Sequence, residues 1–263
     1  MVVQTAVADQ GAHEVPCSVR LLGGFEIRAA GGLLELPRAA ERLVAYLALQ
    51  ESPPSRCRVA TTLWPDATEE RSLGCLRSAL WRVRTASRTL LQPGPNRLGL
   101  GAQTFVDTAA LTRGAFEAVD AGDRRWDQIP LNHFGAELLP DWDEEWVLIE
   151  RERLRQISLC GLEALSRQHL AAGRILRAVE TAWRAITLEP LQESAHRALI
   201  DAHLALGNVG EAVRSLRSLE VILKRELGIE ANEELVRQVR MAVASRRAGD
   251  GSPGSVAVLV DQT

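Results

Sequence analysis

The feature that most restricts how this chain can fold is an internal repeat in its second half. His169-Leu170-Ala171-Ala172-Gly173 recurs as His203-Leu204-Ala205-Leu206-Gly207, Ala178-Val179 recurs as Ala212-Val213, and Leu165 matches Leu199, each pair offset by 34 residues. A period of that length is one helix–turn–helix unit, which cannot bury its apolar side alone and must stack on a neighbour. The residue types agree with the geometry: glycine where the chain turns between two helices, alanine where the helices cross closely. Glu189-Pro190 then closes the first unit, because proline lacks the amide hydrogen a helix interior needs.

The first half reads differently. Ser18-Val19-Arg20-Leu21-Leu22 and Phe25-Glu26-Ile27-Arg28 alternate as strands do across the turn Gly23-Gly24, and Gly31-Gly32 introduces a third strand, Leu33-Leu34-Glu35-Leu36. Pro37 opens a helix carrying Leu43, Val44 and Leu47 at helical spacing, and a short helix follows over 58–64. Thr68, with Glu69 and Glu70 behind it, is the N-cap of a third helix that runs to Ser87. After the break at Gln92-Pro93-Gly94-Pro95-Asn96, residues 97–100 and 104–107 are expected to form a closing hairpin. Three strands, three helices and a hairpin make a winged helix with an N-terminal sheet, of the OmpR-like kind. Everything beyond Asp107 is expected to be helical. The fold class is therefore mainly α with a small β part: a winged helix followed by a tetratricopeptide-like α-helical repeat domain. Its segments are a flexible leader over 1–17, the winged helix over 18–107, the repeat domain over 108–245 and a disordered, linker-like tail over 246–263.

Composition removes several function classes. Lys224 is the only lysine, and it follows leucine rather than glycine, so no phosphate-binding loop of the G-x-x-x-x-G-K type exists. Cys17, Cys57, Cys75 and Cys160 are scattered, which suits reduced thiols in a cytoplasm rather than zinc or a redox pair. Asp9 and Glu14 near the N-terminus argue against a signal peptide, and no apolar run has membrane-spanning length. The net charge of −3 hides an asymmetry: residues 1–107 hold twelve Arg against ten acids, the remainder nineteen Arg plus Lys against twenty-four acids.

The helix over 68–87 carries the chemistry. At 100° per residue Leu73, Leu76, Leu80 and Val83 form one packing stripe, and the opposite face presents Arg71, Gly74, Cys75, Ser78, Arg82 and Thr85. Arg77, Trp81, Arg84 and Arg88 lie at the margins, and no acid occurs from Arg71 to Arg88. The major groove of double-stranded DNA admits one helix, small residues permit close approach, and arginine bonds bidentately to guanine. The flanking arginines, with Arg97 beside the wing turn, would neutralise phosphates and set the register. Trp81 suits either a core edge or a DNA contact; Cys75 suits either a thymine methyl or a spare small position. Trp64, before Pro65, reads as packing.

Catalysis finds no support. His169 and His203 are equivalent repeat positions, which points to packing, and His133 and His196 belong to no metal or acid–base motif. Gly99-Leu100-Gly101 lacks the third glycine of a dinucleotide loop, and the acids Asp141, Asp143, Glu144 and Glu145 around Trp142 and Trp146 read as a helix start. No cofactor is implied. A tetratricopeptide-type adaptor whose N-terminal domain does not read DNA is the alternative function.

Leu63-Trp64-Pro65-Asp66 and Leu76-Arg77-Ser78-Ala79-Leu80-Trp81-Arg82-Val83-Arg84 resemble the DNA-binding segment of the Streptomyces antibiotic regulatory proteins (SARPs) of actinobacteria. Glu137-Leu138-Leu139-Pro140-Asp141-Trp142-Asp143-Glu144-Glu145-Trp146, Glu150-Arg151-Glu152-Arg153-Leu154, Pro190-Leu191-Gln192-Glu193-Ser194-Ala195-His196-Arg197 and Glu226-Leu227-Gly228-Ile229 are similar to signatures of the associated bacterial transcriptional activator domain. The resemblance, from about Val19 to Val243, implies a cytoplasmic, nucleoid-associated activator of secondary-metabolite genes. It further implies that two protomers, as a homodimer on DNA, occupy promoter direct repeats and recruit RNA polymerase holoenzyme. One departure is Ser215-Leu216-Arg217-Ser218-Leu219, where relatives often carry a tyrosine. With no receiver domain ahead of the winged helix, phospho-aspartate control in cis is not expected.

Overall fold

The structure, a computed structural model, describes residues 17–29, 32–92, 94–120 and 134–250. They divide into two compact units: the first takes the N-terminal part through Ala110 together with residues 136–152, the second takes Leu111–Gly135 and the chain from Arg153 onward.

In the first unit, β1 (Cys17–Arg20) alternates as its sequence demands, with Cys17 and Val19 buried and Arg20 exposed. Cys17 is thus already part of the sheet rather than the end of a leader. β1 pairs antiparallel with β2 (Glu26–Ala29), which sets Val19 opposite Ile27, and β2 pairs with β3 (Gly32–Leu33). Three helices follow: α1 (Arg38–Ala48), α2 (Arg56–Leu63) and α3 (Glu69–Ala86). Leu43, Val44 and Leu47 of α1, Val59, Ala60 and Leu63 of α2, and Leu76, Leu80 and Val83 of α3 are all buried, so the three amphipathic faces share one core.

The expected closing hairpin does not form. β4 (Leu91–Gln92) pairs with β5 (Gly99–Leu100) to make the wing, while β6 (Thr104–Val106) joins the main sheet parallel to β1, giving the order β3-β2-β1-β6. The reason lies at the end of β6: the buried carboxylate of Asp107 accepts the amides of Leu21 and Leu22 at 2.9–3.0 Å, fastening that segment beside β1. A residue read from sequence as the end of a hairpin is instead a buried staple.

Nor is the chain uniformly helical after Asp107. α4 (Asp107–Val119) is helical, but residues 134–144 are not. Pro140 cannot lie inside a helix, Leu139 has φ 43°, and the backbone of this strap bonds to the end of β1. Leu139 N donates to Leu21 O at 2.9 Å, Gly23 N donates to Glu137 O at 2.8 Å, and Leu22 bridges Leu138. The strap leads into α5 (Glu145–Ala171), which contributes its first eight residues to the first unit and the remainder to the second.

In the second unit the repeat is visible in every bond of its turns. α6 (Ile175–Leu188) follows Gly173 and α8 (Val209–Glu226) follows Gly207 at the end of α7 (Glu193–Ala205), and both glycines have φ 71°. Arg174 N donates to His169 O as Asn208 N donates to His203 O, at 2.8 and 2.9 Å, and the two glycine amides return to Leu170 O and Leu204 O. This double bond pattern is a Schellman end, and its left-handed residue is why glycine recurs. Leu165 with Leu199, and Ala178 with Ala212, occupy equivalent buried sites. α9 (Glu233–Asp250) completes a core of Ile200, Leu216, Leu219, Leu223, Leu235 and Val239. It also corrects the expected tail: the helix continues through 246–250, with the Arg246 guanidinium donating to Gly207 O at 3.3 Å. The rest of that tail, 251–263, and the leader over 1–16 lie outside the described residues. Among the described residues no helix is long and apolar enough to cross a membrane.

Candidate nucleic-acid interface

α3 begins where its sequence says it should: the Thr68 hydroxyl accepts the Arg71 amide at 3.4 Å, and Glu69 and Glu70 occupy the first turn. One packing position differs from expectation. Leu73 is only half-buried, and Ser72 takes the inner place, which its hydroxyl can do because it donates to Glu69 O at 2.9 Å. Ala79 joins the stripe as well.

The opposite face is open. Arg71, Ser78, Arg82 and Thr85 are exposed, as are Arg77 and Arg84 at the margins and Arg88 just past the helix. Cys75 is half-buried and, with Arg71, Gly74, Ser78, Arg82 and Trp64, lines a groove of about 600 Å³ between α3 and the start of α1. The Ser78 hydroxyl donates to Gly74 O at 3.2 Å. Trp64 is half-buried there. Trp81 is 59% exposed, with the Arg82 guanidinium 5.0 Å from its ring centroid.

Electrostatics sets this surface apart. Arg71, Arg77, Arg82, Arg84 and Arg88 make no ion pair among the described residues, whereas Arg42, Arg151, Arg155 and Arg184 each have a carboxylate within 3.1 Å. Arg97 differs from the other five: it is exposed at the base of the wing, but its Nη1 donates to Pro53 O at 2.9 Å and Ser55 bridges its backbone. It is therefore held against the start of α2 rather than projecting freely.

Sequence reasoning missed the residues that hold this face in place. Arg42 donates through Nη2 to Leu63 O at 2.8 Å, and Glu144 gathers Arg42 and Arg38 at 3.0 and 3.4 Å. The acidic run around Trp142 does lead into a helix start, with Glu145 in the first turn of α5, and Glu144 just before it also directs its carboxylate to α1. Trp142, 5% exposed, lies under the Arg38 guanidinium at 3.6 Å and against Phe25 at 5.5 Å, while Trp146 meets Tyr46 edge-on at 5.4 Å. Pro140 was the available signal that this stretch is not helical.

The remaining candidates fall away from any site. His169 is buried at its repeat position, and His203, half-buried at the equivalent one, has an Nδ1 without a hydrogen-bond partner. Burial pushes the pKa of His196 below its ordinary 6.5, against the opposing pull of the Pro190 carbonyl and Glu193. Its Nε2 lies 3.0 Å from Pro190 O, which fixes the proton on that nitrogen. His133 lies outside the described residues. No cluster of three metal-ligating side chains occurs among the described residues.

Residues 107–243 match the bacterial transcriptional activator domain family. The chain belongs to that family. The resemblance in Trp142–Trp146, Pro190–Arg197 and Glu226–Ile229 implied the same domain. Among solved structures, Mycobacterium tuberculosis EmbR in complex with a low-affinity phosphopeptide superimposes with a TM-score of 0.70 at 17% identity, over 88% of this chain and 65% of that one. The shared fold is a winged helix followed by a helical domain, and the chain spans about two-thirds of the length of EmbR. No curated protein sequence matches the chain. In this activator-domain protein the family match begins beyond the end of α3, so the open arginine face belongs to a part of the chain that the match does not cover.

Proposed function

We propose that this activator-domain protein is a sequence-specific DNA-binding activator in which α3 enters the major groove. The observation that carries the reading is the set of five exposed arginines without ion-pair partners among the described residues, four along the capped helix α3 and Arg88 just past its end. An exposed helix ordinarily interleaves its charges, and a cluster of open cations creates a positive field that attracts a polyanion. Arg71 and Arg82, which line the small-residue groove, are the base readers, and the small side chains of Ser78 and Cys75 beside them allow the approach. Arg77, Arg84 and Arg88, with Arg97 at the wing base and Trp81 beside Arg82, grip the backbone. Two protomers on promoter direct repeats, recruitment of RNA polymerase holoenzyme by the helical unit and control of secondary-metabolite genes complete the proposal.

Selection from randomised duplexes tests it. Purified protein should enrich a short motif in tandem copies, and the Arg71→Ala/Arg82→Ala double variant should not. Absence of enrichment by folded protein at low salt would sink the DNA reading. One observation favours the adaptor function instead: Leu176 and Trp183, two turns apart on α6, are 78% and 52% exposed, as anchors for a protein partner would be. Repeat–peptide binding would be nearly flat in salt, which separates the two readings.

A further inference from the structure

We propose that Arg42 and Glu144 are positioning residues for base reading, so that the strap 136–144, which lies inside the activator-domain match, is a working part of the DNA-binding unit. The inference rests on α3 reading DNA as proposed above.

The geometry runs through a single guanidinium. Leu63 is the last residue of α2, and its carbonyl is one of the groups a helix end leaves without an internal partner. Arg42 Nη2 supplies that partner at 2.8 Å. The next residues make the tight turn into the reading helix: Ala67 N donates to Trp64 O at 3.2 Å, and Thr68 caps α3. Arg42 thus holds the last fixed point before α3 begins.

Arg42 is in turn held from outside the three-helix core. Its Nε lies 3.0 Å from Glu144 Oε1, close enough for strong attraction though not aligned as a hydrogen bond. Arg38 shares the same oxygen at 3.4 Å and covers Trp142. Arg151 fixes the strap that carries both Trp142 and Glu144, donating to the carbonyls of Leu138, Leu139 and Trp142 at 2.7–2.9 Å. The Arg42 and Glu144 side chains are only 22% and 17% exposed, so solvent screens their attraction weakly. Without Glu144, Arg42 would be a half-buried cation with no counter-charge, drawn toward water and away from Leu63.

What such a loss does to DNA binding is specific. Attraction between exposed arginines and phosphates tolerates a small shift of α3, whereas bidentate contact with a base edge does not. The expected signature is lost discrimination with retained non-specific affinity, which a merely destabilising substitution would not give.

The test uses the full chain, with Glu144→Ala, Glu144→Gln and Arg42→Lys, the last keeping the charge but not the fork. Dissociation constants are measured on the selected duplex and on a scrambled one, and amide hydrogen exchange over residues 64–73 is followed without DNA. Glu144→Ala and Arg42→Lys should weaken binding to the selected duplex about tenfold and leave the scrambled duplex within about twofold. Exchange at 64–73 should rise while β1 and β2 stay protected, and Glu144→Gln, which retains an acceptor oxygen, should fall between. Unchanged exchange at 64–73 would overturn the inference, as would equal losses on both duplexes with protection lowered everywhere. If the wild type itself fails to discriminate the duplexes, the DNA reading is what fails; the exchange measurement, which needs no DNA, still decides whether Glu144 holds the start of α3.

Discussion

α3 and α8 are both exposed helices of eighteen residues rich in cations, and they treat those cations in opposite ways. α8 intersperses Arg214, Arg217, Lys224 and Arg225 with Glu211, Glu220 and Glu226, and Arg214 and Arg225 pair with acids of their own helix, Lys224 with Glu230 beyond it. α3 confines its acids to the first turn, where they favour the dipole, and leaves Arg71, Arg77, Arg82 and Arg84 without partners among the described residues. Charge pairing within and beside the helix accounts for the first arrangement; on the proposed function, DNA supplies the counter-charge to the second.

The largest effect that distinguishes the two helices should come from paired truncations. Arg71→Ala/Arg82→Ala is expected to weaken specific DNA binding about a hundredfold, on the scale of two base contacts, with little change in Tm. Arg214→Ala/Arg217→Ala on α8 should leave affinity unchanged; equal losses from both pairs in a binding titration would erase the distinction. A smaller effect, confined to stability, is expected where the repeat packs most tightly. Ala212 is fully buried, so Ala212→Leu should cost about 1–3 kcal/mol of overpacking in calorimetry without altering DNA discrimination.

The histidine that burial keeps neutral gives a pH dependence to the second unit. The folded pKa of His196 lies below its ordinary value, so the unfolded state binds the proton more readily and stability rises with pH. That contribution is complete above about pH 6.5 and is lost as pH falls below it toward the folded value. Melting of the wild type should therefore drop between pH 7 and 5 by more than that of His196→Gln, measured by circular dichroism at matched ionic strength. The smallest effect concerns two glycines that look alike in sequence. Gly207 needs its left-handed φ, whereas Gly210, in the first turn of α8, has open space around it and an ordinary φ. Gly210→Ala should stabilise by about 0.5–1 kcal/mol, and Gly207→Ala should destabilise by about as much; the same sign for both would refute the assigned turn geometry.

Legibility in the sequence followed the range of the interaction. The cap at Thr68, the buried stripe of α3 and the 34-residue repeat are local patterns, and their period alone defines a face. The two-residue strands of the wing carry too little pattern to choose a partner, and the pairing of Thr104–Val106 with β1 depends on Asp107 meeting Leu21 and Leu22 some 85 residues away. The strap was missed for the same reason: Leu138 and Leu139 read as helix until β1 offers them a backbone edge, although Pro140 and Gly135 interrupt that pattern. Among the site residues, the open arginines were visible because charge is read directly from composition. Arg42 and Glu144 were not, since nothing local joins two residues a hundred positions apart.

The salt dependence of binding tests the central reading most directly. With the dissociation constant of the full chain measured from 50 to 200 mM salt on a duplex carrying one copy of the selected motif, the four backbone-gripping arginines give a slope of roughly −3.6 in log affinity against log salt. Arg77→Ala and Arg84→Ala should each reduce its magnitude by about 0.9. A slope near zero, or one that these variants leave untouched, would mean that the open face of α3 does not meet DNA.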